Sequence, residues 1–402
     1  MVAVSRVSPD DLETRAAVER LGREAFPTLQ GRLVSTTEHT LVARREGGIV
    51  GGAVLKIREP RPESRVGLVQ WIFTADSVRG AGVGQRLLES AIEYFDDRGC
   101  ERVLAIVEWK NTSSSKLFAT RGFTPISTRE TVDSYGLGGT VSLWWWLHYY
   151  IAPGHHLWAR TLTTDEDGAE NGSVEPTIAN GKEATAATGS SHAAETVTAA
   201  ESPSRRWRSA GRLLEAVIAN VVLLWVVVAA SSGVGTAAAH AGAIALVAVG
   251  FLAVRHLPRQ IATAVDDGPW RYRSWENSYP FGLAIAALGG YLPMPGGLEP
   301  ASREWTYRHK LDRLGPASFV SALAFVGLFG TIVAYGTVPF VDLSDRIERT
   351  VTTVAIVYVV LEILAVVWPF DVYNGRVVYD WNRLAWVLVA VPAALSVLFW
   401  VA

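Results

Sequence analysis

The chain has 402 residues, a formal net charge of −2, 19% charged residues and one cysteine. That length exceeds one ordinary domain, so at least two units are expected. The charge excludes a nucleic-acid binder driven by bulk electrostatics, and the lone Cys100 excludes an internal disulfide framework. No apolar run of the signal-peptide kind occupies the first thirty residues, so the N-terminal unit is expected to stay in the cytosol.

Val2–Val7 reads as a first strand. Ser8 has N-cap chemistry and Pro9 suits a first helical position, which predicts a helix through about Phe26. Thr40–Arg45 and Ile49–Ile57 read as a hairpin around Glu46-Gly47-Gly48. Val66–Thr74 has the apolar look of a buried strand. It runs into Arg79-Gly80-Ala81-Gly82-Val83-Gly84, after which Val83, Leu87, Leu88, Ala91, Ile92 and Phe95 recur at helical spacing. Glycines at such a junction let N–H groups turn inward, and the helix start adds positive dipole, so the turn reads as a cradle for a pyrophosphate. The plain alternative is an ordinary strand-to-helix connection. Val103–Val107 reads as a further buried strand, and Thr124–Val132 and Thr140–Tyr149 as the strands that close a mixed, largely antiparallel sheet. Trp144-Trp145-Trp146 then fall on both faces of the last strand. Packing on the domain's own core is expected there, with membrane-interface contact as the alternative.

From about Arg160 to Ser204 small, polar and acidic residues dominate, a composition too poor in apolar surface to fold alone. Residues 153–208 are therefore expected to be a flexible acidic linker that leashes a domain at 1–152 rather than docking it. Residues 209–402 read as an all-α polytopic membrane unit. Leu213–Ser231, Thr236–Val254, Pro316–Val341, Thr350–Phe370 and Leu384–Ala402 are each near the length needed to cross a bilayer. Pro280–Gly296 is broken by glycine and proline, and arginines flank it on both sides, so it is expected to dip in and return. The result is five spans and one re-entrant element, with the lipid bilayer as partner, the N-terminal domain in the cytoplasm and the protein in the cell membrane. Glu362 lies mid-span, where an ionisable group needs a partner; Arg255 or His256 is expected to supply it. His240 reads as a hydrogen-bonded helix contact, and packing accounts for Cys100.

Two motifs give the N-terminal unit a resemblance. Arg79, Gly82 and Gly84, followed about thirty residues on by Asn111, Ser114, Leu117, Gly122 and Phe123, resemble the signature of the GNAT acetyltransferase superfamily. The resemblance implies the α/β GNAT fold and direct acetyl transfer from acetyl-CoA to an amine. It implies that a main-chain amide near Phe73 or Thr74 polarises the thioester carbonyl. It also implies that amides of Arg79, Gly80, Ala81, Gly82, Val83 and Gly84 hold the pyrophosphate, with Asn111 and Ser114 near the pantetheine arm. Ser114 has a second reading, as a residue that caps or packs its helix, and the Arg79 side chain is as readily a solvated turn residue. Many members carry a tyrosine where Phe118 stands here, and Phe118 cannot protonate a departing thiolate. Glu108, at a strand end, is the candidate base, with a solvated strand-end carboxylate as the alternative; Glu38 and His39 are weaker candidates.

The membrane half resembles the site-2 protease superfamily through Tyr272-Arg273-Ser274-Trp275, Leu314-Gly315-Pro316 and Pro369-Phe370-Asp371-Val372-Tyr373-Asn374-Gly375-Arg376. Where that family needs His-Glu-x-x-His and an aspartate around zinc, this chain has Arg255, His256, Arg259 and Asn374, so no metal is expected. The combined reading is a membrane-anchored N-acyltransferase that uses acetyl-CoA and an unidentified amine. A coenzyme A-binding sensor or scaffold, and an atypical intramembrane metalloprotease, are the alternatives.

Overall fold

The computed structural model describes residues 2–26, 31–61, 64–108, 110–149, 154–162, 203–266, 270–294, 296–300, 306–335, 345–366 and 373–401. Its N-terminal unit is a seven-stranded sheet with strand order β1-β2-β3-β4-β5-β7-β6. The strands are β1 (Val2–Arg6), β2 (Leu41–Arg45), β3 (Gly48–Arg61), β4 (Ser64–Thr74), β5 (Arg102–Glu108), β6 (Thr124–Pro125) and β7 (His155–Thr161). Glu46 and Gly47 both take positive φ, so the expected tight hairpin joins β2 to β3. Every pairing is antiparallel except that of β4 with β5.

Helices cover both faces. α1 (Leu12–Ala25) is capped by Asp11, whose side chain accepts from the Thr14 amide at 2.9 Å. Asp11, and not the expected Ser8, thus opens this helix. α2 (Val83–Asp96) buries Val83, Leu87, Leu88, Ala91, Ile92 and Phe95, the stripe expected from their spacing. α3 (Thr112–Ala119) follows β5. The face opposite α2, which α1 covers in part, is closed by α4 (Thr128–Leu147), which places Tyr135, Leu143, Trp144 and Leu147 over Val66, Leu68, Leu104 and Leu157.

This helix corrects the expectation of two strands at Thr124–Val132 and Thr140–Tyr149: strand survives there at Thr124–Pro125 alone. Ser127 and Glu130 form a reciprocal capping box at its start, and Gly136, with φ 66° and ψ 172°, breaks it into two segments. Trp144 packs in the core while Trp145 is exposed. The strand pairing with β5 along its whole length is β7, inside residues read as linker, so the sheet extends to Thr161. Of the expected linker, residues 163–202 lie outside the described residues.

The second unit is helical: α5 (Pro203–Ser232), α6 (Val234–Ala239), α7 (Ala241–Ala264), α8 (Tyr279–Ala287), α9 (Tyr307–Tyr335), α10 (Asp345–Val359), α11 (Asn374–Trp381) and α12 (Arg383–Val401), with a short ribbon of β8 (Trp270–Arg273) and β9 (Gly297–Pro300). Among the described residues four stretches are long and apolar enough to cross a membrane: Ser209–Ser232, Ala241–Ala264, Tyr307–Ile332 and Arg383–Val401. Leu384, Leu388, Val391, Leu395 and Leu398 stay exposed on α12, as lipid-facing residues would. The expected span at Thr350–Phe370 is the 15-residue α10 prolonged by a π turn, Val360–Leu364; residues 367–370 lie outside the described residues, as do 336–341 of the span expected to end at Val341. Pro280–Gly296 is the nine-residue α8 followed by a turn and chain without regular structure through Met294; residue 295 lies outside the described residues. The second span lies further along than expected, so Arg255, His256 and Arg259 sit within helix α7 and are buried. Glu362 forms an ion pair with Arg255, the partner anticipated for it. His240 Nδ1 lies 3.0 Å from the Thr236 carbonyl oxygen.

The two units touch. Glu276 accepts from the Thr128 amide at 3.1 Å and from Arg212 at 2.6 Å, and the Asn277 side chain donates to the Tyr149 carbonyl at 2.7 Å. His156 and Glu299 lie 3.9 Å apart, both buried. Docking therefore replaces the expected leash.

Candidate acyl-transfer site

β4 and β5 pair only from Val66–Val69 to Arg102–Ala105. Beyond that they part, β4 remaining on β3 and β5 on β7 through Glu108. Alternate main-chain groups of Gln70–Thr74 on one side, and of Ile106–Glu108 on the other, thus face a gap instead of a ladder partner. This is where a thioester carbonyl near Phe73 or Thr74 would find an amide. The Phe73 side chain itself is core, packed with Val18, Val54 and Val34.

The glycine-rich turn follows at the same end of the sheet. Ala75 is tied to Val50, and a short 3-10 turn at Asp76–Val78 leads into it. The amides of Arg79 and Ala81 donate to Asp76 and Val78 carbonyls, so they are spent on the turn. Those of Gly80, Gly82, Val83, Gly84 and Gln85 meet no main-chain acceptor among the described residues. Gly82, at φ 78°, is the N-cap of α2, and it turns the chain so that these N–H groups converge at the helix start. A Cβ on Gly84 would touch Leu117 and Thr74, which places α3 and the end of β4 against the cradle. The Arg79 side chain is an exposed partner of Asp76 at 3.0 Å, the solvated reading.

The remaining site residues divide. The Asn111 side chain accepts from the Ser114 amide at 3.0 Å and is the N-cap of α3, so both have a local structural task beside any cofactor contact. Phe118 is buried, its ring 5.0 Å from Phe123 and edge-on to it. Glu108 stands at the gap end of β5, 3.2 Å from Lys110. Burial pushes its carboxyl above the usual range; Lys110 and Arg376 pull it back, and Asp380 raises it further. Two of those neighbours, Arg376 and Asp380, belong to α11 of the helical half. His39 bonds Tyr94 at 2.7 Å, and Tyr94 lies eleven residues along α2 from Val83, about 16 Å from the cradle by helix rise. Glu38 lies beside it at 3.5 Å, so neither residue reaches the gap. Cys100 is buried and burial raises its thiol to about 11, as suits a packed and inert residue.

Sequence reasoning missed the docking residues. Burial alone would raise Glu299, but His156, Arg271, Arg273 and Lys310 together hold it down to about 2. His156 is itself kept neutral at physiological pH, by burial first and by Arg273 next. The permanent charges of Arg271, at 2.9 Å, and Arg273, at 3.6 Å, therefore keep Glu299 ionised.

The parted parallel pair and the glycine-rich helix start thus lie together at one end of the sheet. The acetyltransferase (GNAT) family profile matches residues 8–123, and this part of the chain has the GNAT fold. Among solved structures, the NatC complex bound to Gag peptide and CoA matches at 17% identity over 40% of this chain and 99% of that one, with a TM-score of 0.31. N-acetylglutamate synthase from Neisseria gonorrhoeae, complexed with coenzyme A and N-acetyl-glutamate, matches at 22% over 41% of this chain and 36% of that one, with a TM-score of 0.30. An IAA acetyltransferase from Bacillus cereus matches at 18% over 40% and 100%, with a TM-score of 0.27. No curated protein matches the chain.

Proposed function

We propose that the protein is a membrane-anchored N-acetyltransferase that moves an acetyl group from acetyl-CoA to an amine at the cytosolic face. The observation that carries this reading is the set of uncommitted amides at Gly80 and Gly82–Gln85 beside the parted strands, within the region that the GNAT profile matches. Those donors suit a diphosphate, and amides of Gln70–Thr74 suit the thioester oxygen, where charge builds up in the transition state. The amine attacks only when neutral, and ionised Glu108 would take its proton directly or through water. Nitrogen then bonds to the acetyl carbon, the carbon–sulfur bond breaks, and the thiolate leaves with the electron pair. Phe118 has no proton to give, so water must protonate the sulfur or it departs charged. The gap end of the sheet lies at the docked helical half, since Glu108 is within electrostatic reach of Arg376 and Asp380. That arrangement supports an acceptor met at the membrane surface.

The buried Phe118 favours one second reading, a coenzyme A-binding sensor without turnover. Thiol release from acetyl-CoA by the full chain, across a panel of amines, separates the two. Release that depends on the amine supports transfer; binding of the cofactor with no release on any amine supports the sensor.

A further inference from the structure

Arg255 and Arg259 lie one turn apart on α7, inside a candidate span, at 0% and 2% exposure. Removing a guanidinium from water is costly unless a negative partner stands beside it. Arg255 has one. Glu362 pairs with it, and the other oxygen of that carboxylate accepts from the Asn374 amide at 3.0 Å. Both oxygens of Glu362 are thereby engaged.

Arg259 differs. Among the described residues no carboxylate lies within 4.0 Å of it, and its contact is the Asn374 side-chain oxygen at 3.3 Å. Its Nε–H meets no acceptor, and neither does the Asn374 Nδ2, although Asn374 is fully buried. Two neighbouring donors are left open beside one unbalanced positive charge, and Asn374 opens helix α11, which adds positive dipole. A cation does not fit here. These are the positions that the protease resemblance would give to zinc ligands, and they present N–H groups instead of lone pairs.

We propose that Arg259 and Asn374 bind a carboxylate-bearing ligand inside the helical half. A carboxylate offers two oxygens in one plane, one suited to the guanidinium edge and one to the amide N–H. Its single charge balances Arg259, whereas a phosphate would bring charge that this cluster leaves uncovered. The carboxylate reaches the site either from water, on a small acid, or from the bilayer, on a fatty acid.

The test uses the full chain in nanodiscs, with sodium acetate replacing sodium chloride at constant ionic strength in one arm and oleate added to the bilayer in the other. One of the two raises the melting temperature saturably, by roughly 5 °C at about 100-fold excess over its Kd. Arg259→Met abolishes that rise. A response to acetate identifies a water-borne acid, and a response to oleate alone identifies a lipid-borne one. Should Arg259→Met fail to fold, Asn374→Leu takes its place, with the same loss of response expected. The proposal is overturned if neither acid raises the melting temperature, if phosphate does so equally well, or if the variant still responds. It is overturned as well if Arg259→Met melts higher than the wild type in every salt, the mark of a buried charge that no ligand balances.

Discussion

At the scale of single residues, Gly82 and Glu108 carry the chemistry proposed above. Gly82 sits at φ 78°, where a side chain costs about 1 kcal/mol, and a carboxylate there would also repel the diphosphate proposed to bind. Gly82→Asp is expected to weaken acetyl-CoA binding more than about tenfold by calorimetric titration. Gly99→Asp, with a similar φ of 65° but on the turn after α2, should leave the affinity unchanged. Wild-type binding by the Gly82 variant would remove the cradle from the account. Glu108 gives a second test. Its raised pKa means that the base form gains population only as pH climbs above the ordinary carboxylate range, so kcat/KM should rise through a limb displaced upward. Glu108→Gln should erase that limb and lower the rate about 100-fold; an unchanged pH profile would make this carboxylate a strand-end residue only. The glycine-rich turn and the helix after it were legible because glycine spacing and helix periodicity are local properties. The competing work of Asn111 as a cap was legible less clearly, since Asn serves both tasks with the same atoms.

At the scale of elements, α4 and β7 show where reading from sequence ran out. Thr131, Val132, Thr140, Val141 and three tryptophans favour strand on propensity, and Gly136 argues against a helix. Burial against Leu104 and Leu157 overrides that preference, and Gly136 supplies the break where the helix bends. The overlooked signal was Ser127-x-x-Glu130, a capping box in plain view. Glu130 accepts from the Ser127 amide at 2.6 Å, and Ser127 Oγ accepts from the Glu130 amide at 3.2 Å. Ser127→Ala should therefore cost about 1 kcal/mol, seen as a lower midpoint in thermal or denaturant melting. No effect would mean that docking through Thr128 alone fixes this end of α4. β7 was hidden for another reason: its seven residues pair far away in sequence with β5, and polar composition begins directly after them. The stripe of α2 and the hairpin at Glu46-Gly47 were legible, because each needs only near neighbours.

At the scale of the whole molecule, the contact between the halves decides whether the gap end of the sheet stays beside the helical half. Composition spoke for a leash, because Glu276, Asn277 and Glu299 look like ordinary surface residues until the fold brings Thr128, Tyr149 and His156 to them. His156 makes the contact sensitive to acid. Around it stand Trp275, Glu299, Arg271, Arg273 and His155; burial and then Arg273 lower its pKa, and Glu299 only partly opposes them. An undocked His156 binds its proton near 6.5, whereas the docked one does so only at lower pH. Docking is thus at full strength above about 6.5 and weakens as pH falls below it, by up to about 1.4 kcal/mol per unit. Spin labels at exposed Glu46 and Arg308, one on each half, would report the change. A narrow distance distribution at pH 7.5 should broaden by pH 5.5, and His156→Gln should remain narrow across that range. A wild type that stays narrow at pH 5.5, or a variant that broadens with it, would show that His156 does not govern the contact.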